Sequence, residues 1–477
     1  MWWQPYKDRL RFLMDRAKRL GSPSLSFIVS GIGLCYFLAF VSLIPQLPGL
    51  IGDQGLLPVT ALNAAYEQHY GATAIWEMKS LTWWISSSSG LQILAGVGAV
   101  SSILVVLGYF RMLSLLVAWG IYGSLFVAGQ SFLSFQWDTL LLEAGIAGAC
   151  LAAAIPEKNK AVSGPALLLV RLLAAKVMIS AGLAKLLSGD TWWRDWTALT
   201  VHFETQPLPT VVGWFFHQMP FSILLFGMLW LWVAELIAPL LAFIPGRIRV
   251  YSTLCMLLFQ VMIALAGNYG FFNLLTAVLL LSFWVQLPDP SGASEYVENS
   301  ASRRLKKTIP FLLSVTLLLG LGNRFVFQNS ALGTLDARLS AWRLQFQYGL
   351  FATMTYPRWE ISLEVSADKE RWHEILFYYK PYVDSRLPWV TPHMPRLDWL
   401  MWFAALHPEP QVLPWLQRLA DGILKKEPSV LALLPPVPEG DFRYIRLQRR
   451  QYRFSDEAEY HKKAVFWIEE SSFSPMP

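Results

Sequence analysis

The chain has 477 residues, of which 54% are hydrophobic and 15% are charged. Soluble domains carry about 25% charged residues, so this composition excludes a purely soluble protein and favours a multi-span membrane protein with an attached soluble part. The net charge of +6 does not indicate nucleic-acid binding, because the basic residues lie in short loops between apolar segments rather than in one basic face.

Apolar segments long enough to cross a bilayer recur through the first two thirds of the chain. A membrane-spanning helix needs roughly 17–25 mostly apolar residues. We therefore predict a transmembrane helical domain, residues 1–326, with about nine spans and two long outer loops at 49–89 and 189–220. The predicted spans are 26–48, 90–108, 111–128, 134–155, 165–188, 221–244, 250–267, 270–287 and 309–326.

The distribution of Lys and Arg predicts how these spans are oriented. The N-terminal segment and alternate loops carry fifteen such residues, whereas the intervening loops carry only Lys79 and Arg194. Positively charged loops stay in the cytoplasm, so we predict a cytoplasmic N-terminus. Nine spans then place the C-terminal part outside the cytoplasm, whereas one span fewer would place it in the cytoplasm. We expect a bacterial inner membrane, or the endoplasmic reticulum membrane if the protein is eukaryotic.

Residues 327–477 are predicted to form a small soluble domain, mostly β with a helical insert. Alternating apolar and polar residues predict the strands, and two segments of helical periodicity predict the insert. The predicted strands are Ala341–Tyr356, Trp359–Val365, Trp372–Tyr379, Phe442–Phe454 and Ala464–Glu469, and the predicted helices are Leu397–Leu406 and Gln411–Lys425.

Six ionisable residues lie inside the predicted spans. Charge within a membrane is costly, so each such residue is a candidate for function. One interpretation is a closed cluster of ion pairs joining the fourth, fifth and sixth spans, in which Lys176 pairs with Glu143 or Glu235. The other is a site that handles protons or holds a substrate, with Lys185 as a base in an apolar pocket. The six are Asp138, Glu143, Arg171, Lys176, Lys185 and Glu235.

The 189–220 loop carries a dense group of aromatic and polar residues. His202 and Glu204 could suggest a metal, but their spacing is weak for zinc and no third ligand is evident. We therefore predict no metal and no cofactor, and the chain has no nucleotide-binding loop and no hydrolase or metalloprotease motif. The loop residues singled out are Trp193, Arg194, Asp195, His202, Glu204, Thr205, Gln206 and Pro207.

Long, separated motifs connect the chain to a known family. SFQWDTLLLEAG (Ser134–Gly145), WRDWTALTVHFETQPLP (Trp193–Pro209), QVMIALAGNYGFFNLLT (Gln260–Thr276), YGLFATMT and RLDWLMWFAAL (Arg396–Leu406) resemble signature segments of the lipase maturation factors. In that family the second segment begins with Cys, where this chain has Trp192. The cysteines Cys35, Cys150 and Cys255 all lie in apolar segments, so the resemblance implies no redox role in folding.

The resemblance implies a function in protein maturation. Animal members of the family are multi-span endoplasmic-reticulum proteins that help secreted dimeric lipases reach an active fold, with a lumenal C-terminal domain that contacts the client. The implied partners are membrane lipid and an exported client such as a lipase, with no nucleic acid. A shorter segment, AGLAKL (Ala181–Leu186), is similar to the A-G-V-K-K-L of vitamin-K-dependent gamma-carboxylases and would place the proposed base of that family on Lys185.

Two functional hypotheses follow, and we favour the first. The first is a chaperone-like assembly factor whose membrane part positions a client-binding domain. The second is a membrane enzyme, or a binder of a lipid-like or quinone-like ligand, built around Lys185. Under the first, the 189–220 loop docks on Arg396–Leu406 to form one client-facing surface; alternatively, the tryptophans there are buried core. The surface candidates are Arg396, Asp398, Trp399 and Trp402.

Overall fold

The computed structural model describes residues 25–155, 164–285, 300–390 and 393–473. Within these ranges, eight helices are long and apolar enough to cross a membrane, and a ninth apolar helix, Phe272–Trp284, is shorter. The membrane helices are α1 (Leu25–Leu43), α2 (Ser88–Leu107), α3 (Arg111–Ala128), α4 (Gln136–Ala154), α5 (Gly164–Leu187), α6 (Phe221–Leu241), α7 (Arg247–Ala266), α8 (Phe272–Leu280) and α9 (Ser300–Gly322).

Close helix packing depends on small residues at the contacts. A Cβ at Gly33 of α1 would lie 2.7 Å from the Val105 Cγ1 atom of α2, and one at Gly182 of α5 would lie 2.6 Å from the Leu236 Cδ2 atom of α6. Small residues allow two helix backbones to approach within a membrane. Helix α5 lies centrally, packed against α4, α8, α9 and the π-helical turn of α6.

Two of the membrane helices are associated with a π-helical turn. In α6 the turn lies within the helix at Val233–Ile237, and after α9 it covers Asn323–Phe327, directly beyond the last helical residue. The turn in α6 precedes Pro239, which has no N–H and so cannot donate the helical hydrogen bond to residue 235. π-helical turns are frequent at functional sites, and this one contains Glu235.

The outer loops contain short helices and the C-terminal part contains one sheet. The loop helices are Leu47–Ile51, Val59–Tyr70, Ala74–Met78, Thr191–Arg194, Ala198–Thr205 and Val211–His217. The antiparallel sheet has the order β2-β1-β3-β4, with β1 (Arg358–Ser366), β2 (His373–Ile375), β3 (Tyr444–Phe454) and β4 (Trp467–Phe473). The helices are α10 (Ser330–Ala341), α11 (Arg396–Leu406), α12 (Pro414–Leu424), Pro428–Leu431 and α13 (Glu457–Lys463).

The predicted fold class is confirmed: apolar membrane helices are followed by a small antiparallel sheet with a helical insert. Helix α11 packs against β1, and the side chains of Ile361, Leu363 and Val365 are buried. The residues between them are buried as well, so both faces of β1 are largely covered. The sequence correctly placed the helix α11 that packs against this strand.

The strand predicted at Ala341–Tyr356 is wrong, because this segment is irregular after α10 ends. Its backbone N–H groups bond to side chains of the membrane part instead of to a neighbouring strand. Phe346 donates to the Glu143 carboxylate at 2.7 Å, and Gly349 donates to the amide oxygen of Gln136 at 3.0 Å. Alternating aromatics therefore mark a segment that packs on helix ends, not a strand.

The C-terminal part lies against the helix ends that carry both long outer loops. Gln46, just after α1, donates to the Met394 carbonyl at 2.9 Å and accepts from the Arg396 N–H at 2.9 Å. Val211, in the 189–220 loop, donates to the Pro388 carbonyl at 3.0 Å. The two loops and the sheet thus share one side of the helical bundle.

Candidate functional site at the junction of helices and sheet

A buried ion pair joins the start of α11 to the start of α4. Arg396 binds both carboxylate oxygens of Asp138, at 2.6 and 2.7 Å, and also donates to the Phe132 carbonyl at 3.1 Å. The Tyr122 hydroxyl donates to the same carboxylate at 2.5 Å. Two parallel N–H···O bonds fix both position and orientation, so this pair holds α11 rigidly on the membrane helices.

A second buried carboxylate, Glu143, connects α4 and α5 to the segment that follows α10. Lys176 of α5 donates to it at 2.7 Å, which is one of the two pairings that the sequence predicted. The Phe346 N–H at 2.7 Å and the Tyr348 hydroxyl are its further donors. Glu143 thus has the several hydrogen bonds that a buried charge needs, and two of them come from the C-terminal part.

The third pair lies between α5 and α6. The Lys185 ammonium binds both oxygens of Glu235 at 2.9 Å and lies 5.7 Å from the centre of the Trp193 ring. Gly182, one turn earlier on α5, leaves room for the Glu235 backbone and side chain to approach. Lys185 thus has the geometry of a buried ion pair, with both oxygens of its partner carboxylate within hydrogen-bonding distance.

The prediction of one closed cluster joining three spans needs correction. The ion pairs are separate: Asp138 pairs with Arg396, which lies outside the spans, and Glu235 pairs with Lys185. Arg171 donates instead to the carbonyl oxygens of Ser282 and Val285, at 3.1 and 2.8 Å, near the end of the apolar helix 272–284. Each buried carboxylate therefore pairs with the cation that packing places beside it. The depth of the two residues along their predicted spans does not decide the pairing.

The 189–220 loop docks on the C-terminal part, as predicted. The Trp402 indole N–H of α11 donates to the Thr205 carbonyl at 2.9 Å. Trp193 donates to the Phe351 carbonyl at 2.9 Å. Asp190, which caps the Thr191–Arg194 helix, also accepts from the Met354 N–H at 2.9 Å.

Arg358, at the start of β1, holds the turn that ends the loop motif. Its guanidinium donates to the carbonyl oxygens of Glu204, Gln206 and Pro207. The Gln206 side chain is buried too, donating to the Ala266 carbonyl at 2.9 Å and accepting from the Tyr269 hydroxyl at 2.6 Å. The H-F-E-T-Q-P stretch is therefore a structural connector between α7 and the sheet. Arg194 and Asp195, by contrast, form an exposed pair at 3.0 Å.

Comparisons with known proteins assign both parts of the chain to one family. Residues 25–286 match a family model described as the lipase maturation factor transmembrane domain, and residues 344–477 match one described as the lipase maturation factor C-terminal domain. The chain belongs to the lipase maturation factor family. It is 31% identical to lipase maturation factor 2 of Mus musculus, covering 93% of this chain and 81% of that protein.

Further relatives also carry the name lipase maturation factor. Lipase maturation factor 1 of Bos taurus is 30% identical over 92% of this chain and 86% of its own length, and lipase maturation factor 2 of Homo sapiens is 30% identical over 93% and 81%. No solved structure is a significant match. The chain is thus a multi-pass integral membrane protein. These relatives are animal proteins, so they give no support to the expected bacterial inner membrane.

The proposed client-facing residues of this lipase maturation factor need correction. Arg396, Asp398, Trp399 and Trp402 are only 1%, 2%, 2% and 7% exposed, so they form the junction and not an outer surface. Trp399 packs edge-on against Trp137 of α4, with ring centres 4.7 Å apart. The alternative interpretation, that these tryptophans are buried, is the one the structure supports.

Other residues of the junction escaped sequence reasoning. Tyr348 lies in the YGLFATMT motif, which was recognised only as a family resemblance and could have pointed to it. Gln46, Tyr122 and Arg358 are single polar residues without informative spacing. Gln46 and Arg358 bond across the junction to Met394 and Pro207, each more than a hundred residues away in sequence. Tyr122 and its partner Asp138 are separated by 16 residues. Only the packed structure identifies them.

Glu204 and His217 form a titratable contact between the loop and the sheet. A Glu204 carboxylate oxygen accepts from the Phe454 N–H at 3.1 Å and lies 3.7 Å from the His217 Nε2 atom. Burial raises the pKa of Glu204 to about 7 and lowers the pKa of His217 to about 4. His202 lies apart from them, with its ring 4.8 Å from that of Phe351. The described residues contain no group of three His, Cys, Asp or Glu that could hold a metal.

The two shifts predict opposite pH dependences. Glu204 keeps its proton up to about pH 7 when folded but loses it near 4.5 when unfolded, so its contribution to stability is lost as pH rises through that window. His217 titrates near 6.5 when unfolded and about 4 when folded, so stability is lost as pH falls. In Glu204→Gln only the His217 contribution remains, so stability should rise between pH 4 and 6.5, and in His217→Asn only the Glu204 contribution remains, so stability should fall between pH 4.5 and 7.

Each change should amount to the order of 1–3 kcal/mol across its window. Thermal unfolding of the full-length protein in detergent, measured from pH 4 to 7.5, checks both variants against wild type. Curves for the two variants that run parallel to the wild-type curve would show that neither group titrates with the shifted pKa.

Proposed function

We propose that this protein assists the folding or assembly of exported lipases, and that its C-terminal part contacts the client. The observation that carries the proposal is the match, over 92–93% of the chain, to proteins that are named lipase maturation factors. The match covers both the membrane helices and the sheet, so both parts of the chain have counterparts in those proteins.

The geometry supports a positioning role. The Arg396–Asp138 pair and the Glu143 contacts are buried and hold the C-terminal part against the helices without an extended linker. Large apolar side chains remain exposed directly after Pro388, whose carbonyl accepts from Val211 of the 189–220 loop, notably Trp389 at 65% and Val390 at 73%. Exposed apolar groups on a fixed platform are suited to a client that has not yet buried its own apolar surface.

We further propose that the sheet lies on the non-cytoplasmic side, where exported lipases fold. The fifteen-to-two bias in Lys and Arg between alternate loops supports this orientation. So does the position of the sheet beside the two long outer loops. The membrane of an exporting compartment is the setting that both features require.

Co-expression with a secreted lipase tests the proposal. In cells that lack their own maturation factor, the full-length chain should raise lipase activity per unit of secreted lipase. The double variant Trp389→Ala/Val390→Ala should lose most of that gain, because the exposed contact is removed while the junction is intact. A phosphatase fused to the C-terminus should be active.

The matched control is Trp76→Ala, in the 49–89 loop, where the side chain is 72% exposed. It should leave the gain unchanged, and all forms should be present in the membrane in equal amounts. Failure of the wild-type chain to raise the specific activity of any secreted lipase tested would reject the client class, and an inactive phosphatase would reject the orientation.

A further inference from the structure

A cavity of ≈ 380 Å³ lies between α5, α6, α7 and the segment that follows α10. Small-molecule sites in proteins typically measure about 300–1,000 Å³. Its volume is thus sufficient for a ligand. Its wall includes the Lys185–Glu235 pair between α5 and α6, and also Tyr348, whose hydroxyl donates to Glu143.

One wall of the cavity is apolar and follows α6. Leu224, Gly227 and Leu231 line it at intervals of three and four residues, which is the spacing of one helix face, and Glu235 ends this face one turn further on. At 1.5 Å per residue the apolar part from Leu224 to Leu231 covers about 10 Å. The hydrocarbon core of a bilayer is about 30 Å thick, so one leaflet accounts for about 15 Å. The apolar wall is therefore long enough for about two thirds of one acyl chain.

Two pairs of polar groups in the cavity wall are bonded to each other. Lys185 binds Glu235, and the Asn273 amide donates to the Gln260 side-chain oxygen at 2.9 Å. His202 also lines the cavity, and burial lowers its pKa to about 4, so it is neutral at physiological pH, while its buried Nδ1 atom has no hydrogen-bond partner among the described residues. None of these groups carries an unpaired charge, so an uncharged chain can lie along them.

The cavity reaches the surface that faces the lipid. Ile223 and Phe226 line it and are also 51% and 65% exposed, and both belong to a membrane-spanning helix. Apolar side chains exposed on such a helix face the hydrocarbon of the bilayer. A ligand can therefore enter sideways from the membrane without crossing water.

We propose that this cavity binds an acyl chain of a membrane lipid. The chain lies along the α6 face between Leu224 and Leu231, with the Lys185–Glu235 pair closing the wall beside it. The apolar α6 face, the pairing of Lys185 with Glu235 and of Asn273 with Gln260, and the opening toward lipid together favour this occupant over a charged, water-soluble ligand. The proposal does not depend on the identity of the client.

Photolabelling tests the proposal directly. The full-length protein is reconstituted in phosphatidylcholine vesicles that contain a trace of phosphatidylcholine with a diazirine on one acyl chain. After irradiation, labelled residues are mapped by mass spectrometry. Met178 and Leu231 line the cavity and are only 2% and 6% exposed, so a lipid outside the cavity does not reach them. We expect both to be labelled, together with lipid-facing residues such as Leu240.

Filling the cavity should remove this labelling selectively. Ile263→Trp on α7 adds bulk to the lining and should reduce labelling of Met178 and Leu231 at least tenfold. The matched control is Leu258→Trp on the same helix, which is 48% exposed and lies outside the cavity lining. It should leave the labelling of both residues unchanged. If Ile263→Trp does not fold, Ala181→Phe on α5 provides the same test from the opposite wall.

The outcomes separate the possible occupants. Labelling of Met178 and Leu231 by a diazirine fatty acid but not by the phospholipid would support an acyl-chain site whose source is free fatty acid. Labelling confined to exposed residues such as Leu240 would overturn the proposal. So would unchanged labelling in both filled variants, or labelling of the cavity by an apolar photoactivatable peptide in the absence of any labelling by lipid.

Discussion

Arg396→Met should lower the free energy of unfolding by about 3–5 kcal/mol, because it leaves the Asp138 carboxylate buried without its cation. Asp138 is fully buried, and only the Tyr122 hydroxyl and local backbone would remain to stabilise its charge. Because Arg396 begins α11, the sheet should also separate more readily from the helices. Unfolding of the full-length protein in detergent gives the stability, and limited proteolysis between α9 and β1 reports the separation.

Two further variants complete the test of this pair. The double change Arg396→Met/Asp138→Asn should recover a substantial part of the loss, since it removes both charges. Arg194→Met, in the exposed Arg194–Asp195 pair, should have no measurable effect, because solvent screens that pair. A single Arg396→Met protein as stable as wild type would show that the junction does not depend on this pair.

Lys176→Met is the second change with a large expected effect, again about 3–5 kcal/mol of destabilisation. It leaves Glu143 with the Tyr348 hydroxyl and the Phe346 N–H as donors, but without a neutralising charge. The expected consequences are a lower unfolding temperature and easier proteolysis of residues 342–357. Both are measured on the purified full-length protein.

The partner substitution should give only partial recovery. Glu143→Gln removes the buried charge, but the new amide nitrogen faces donors where the carboxylate had accepted hydrogen bonds. Lys176→Met/Glu143→Gln should therefore lie between the single variant and wild type. Lys425→Met, at an exposed site after α12, is the matched control and should match wild type. A Lys176→Met protein with unchanged stability and proteolysis would exclude a structural role for the pair.

Local patterns predicted the elements that depend on local physics. The length of an apolar segment decides whether a helix can span a bilayer, so the membrane helices and their order could be predicted. The same reasoning, applied to buried charge, predicted that Lys176 pairs with Glu143 or Glu235, and the structure selects Glu143. Helical patterns also located α11 and α12 within a few residues: α12 presents one apolar face, whereas α11 is buried on nearly all sides.

Long-range packing decided the rest. The 341–356 segment alternates like a strand, yet Glu143 and Gln136 accept its backbone N–H groups and no strand lies beside it. Arg396 and Asp138 are 258 residues apart in sequence, and no spacing rule connects them. Sequence reasoning also treated Trp399 and Trp402 as a surface, because burial depends on what packs above a residue and not on the residue itself.

The sequence alone therefore determined that this is a multi-span membrane protein, which family it resembles, and which charges need partners, since these follow from composition, periodicity and the energetic cost of a buried charge. Only the tertiary structure decided which partner each charge has, which aromatics are buried, and where α5, α6 and α7 leave a cavity open to lipid. Those features arise where segments that are distant in sequence pack together. The free energy that favours one packing over another comes from these long-range contacts, which local sequence patterns do not predict.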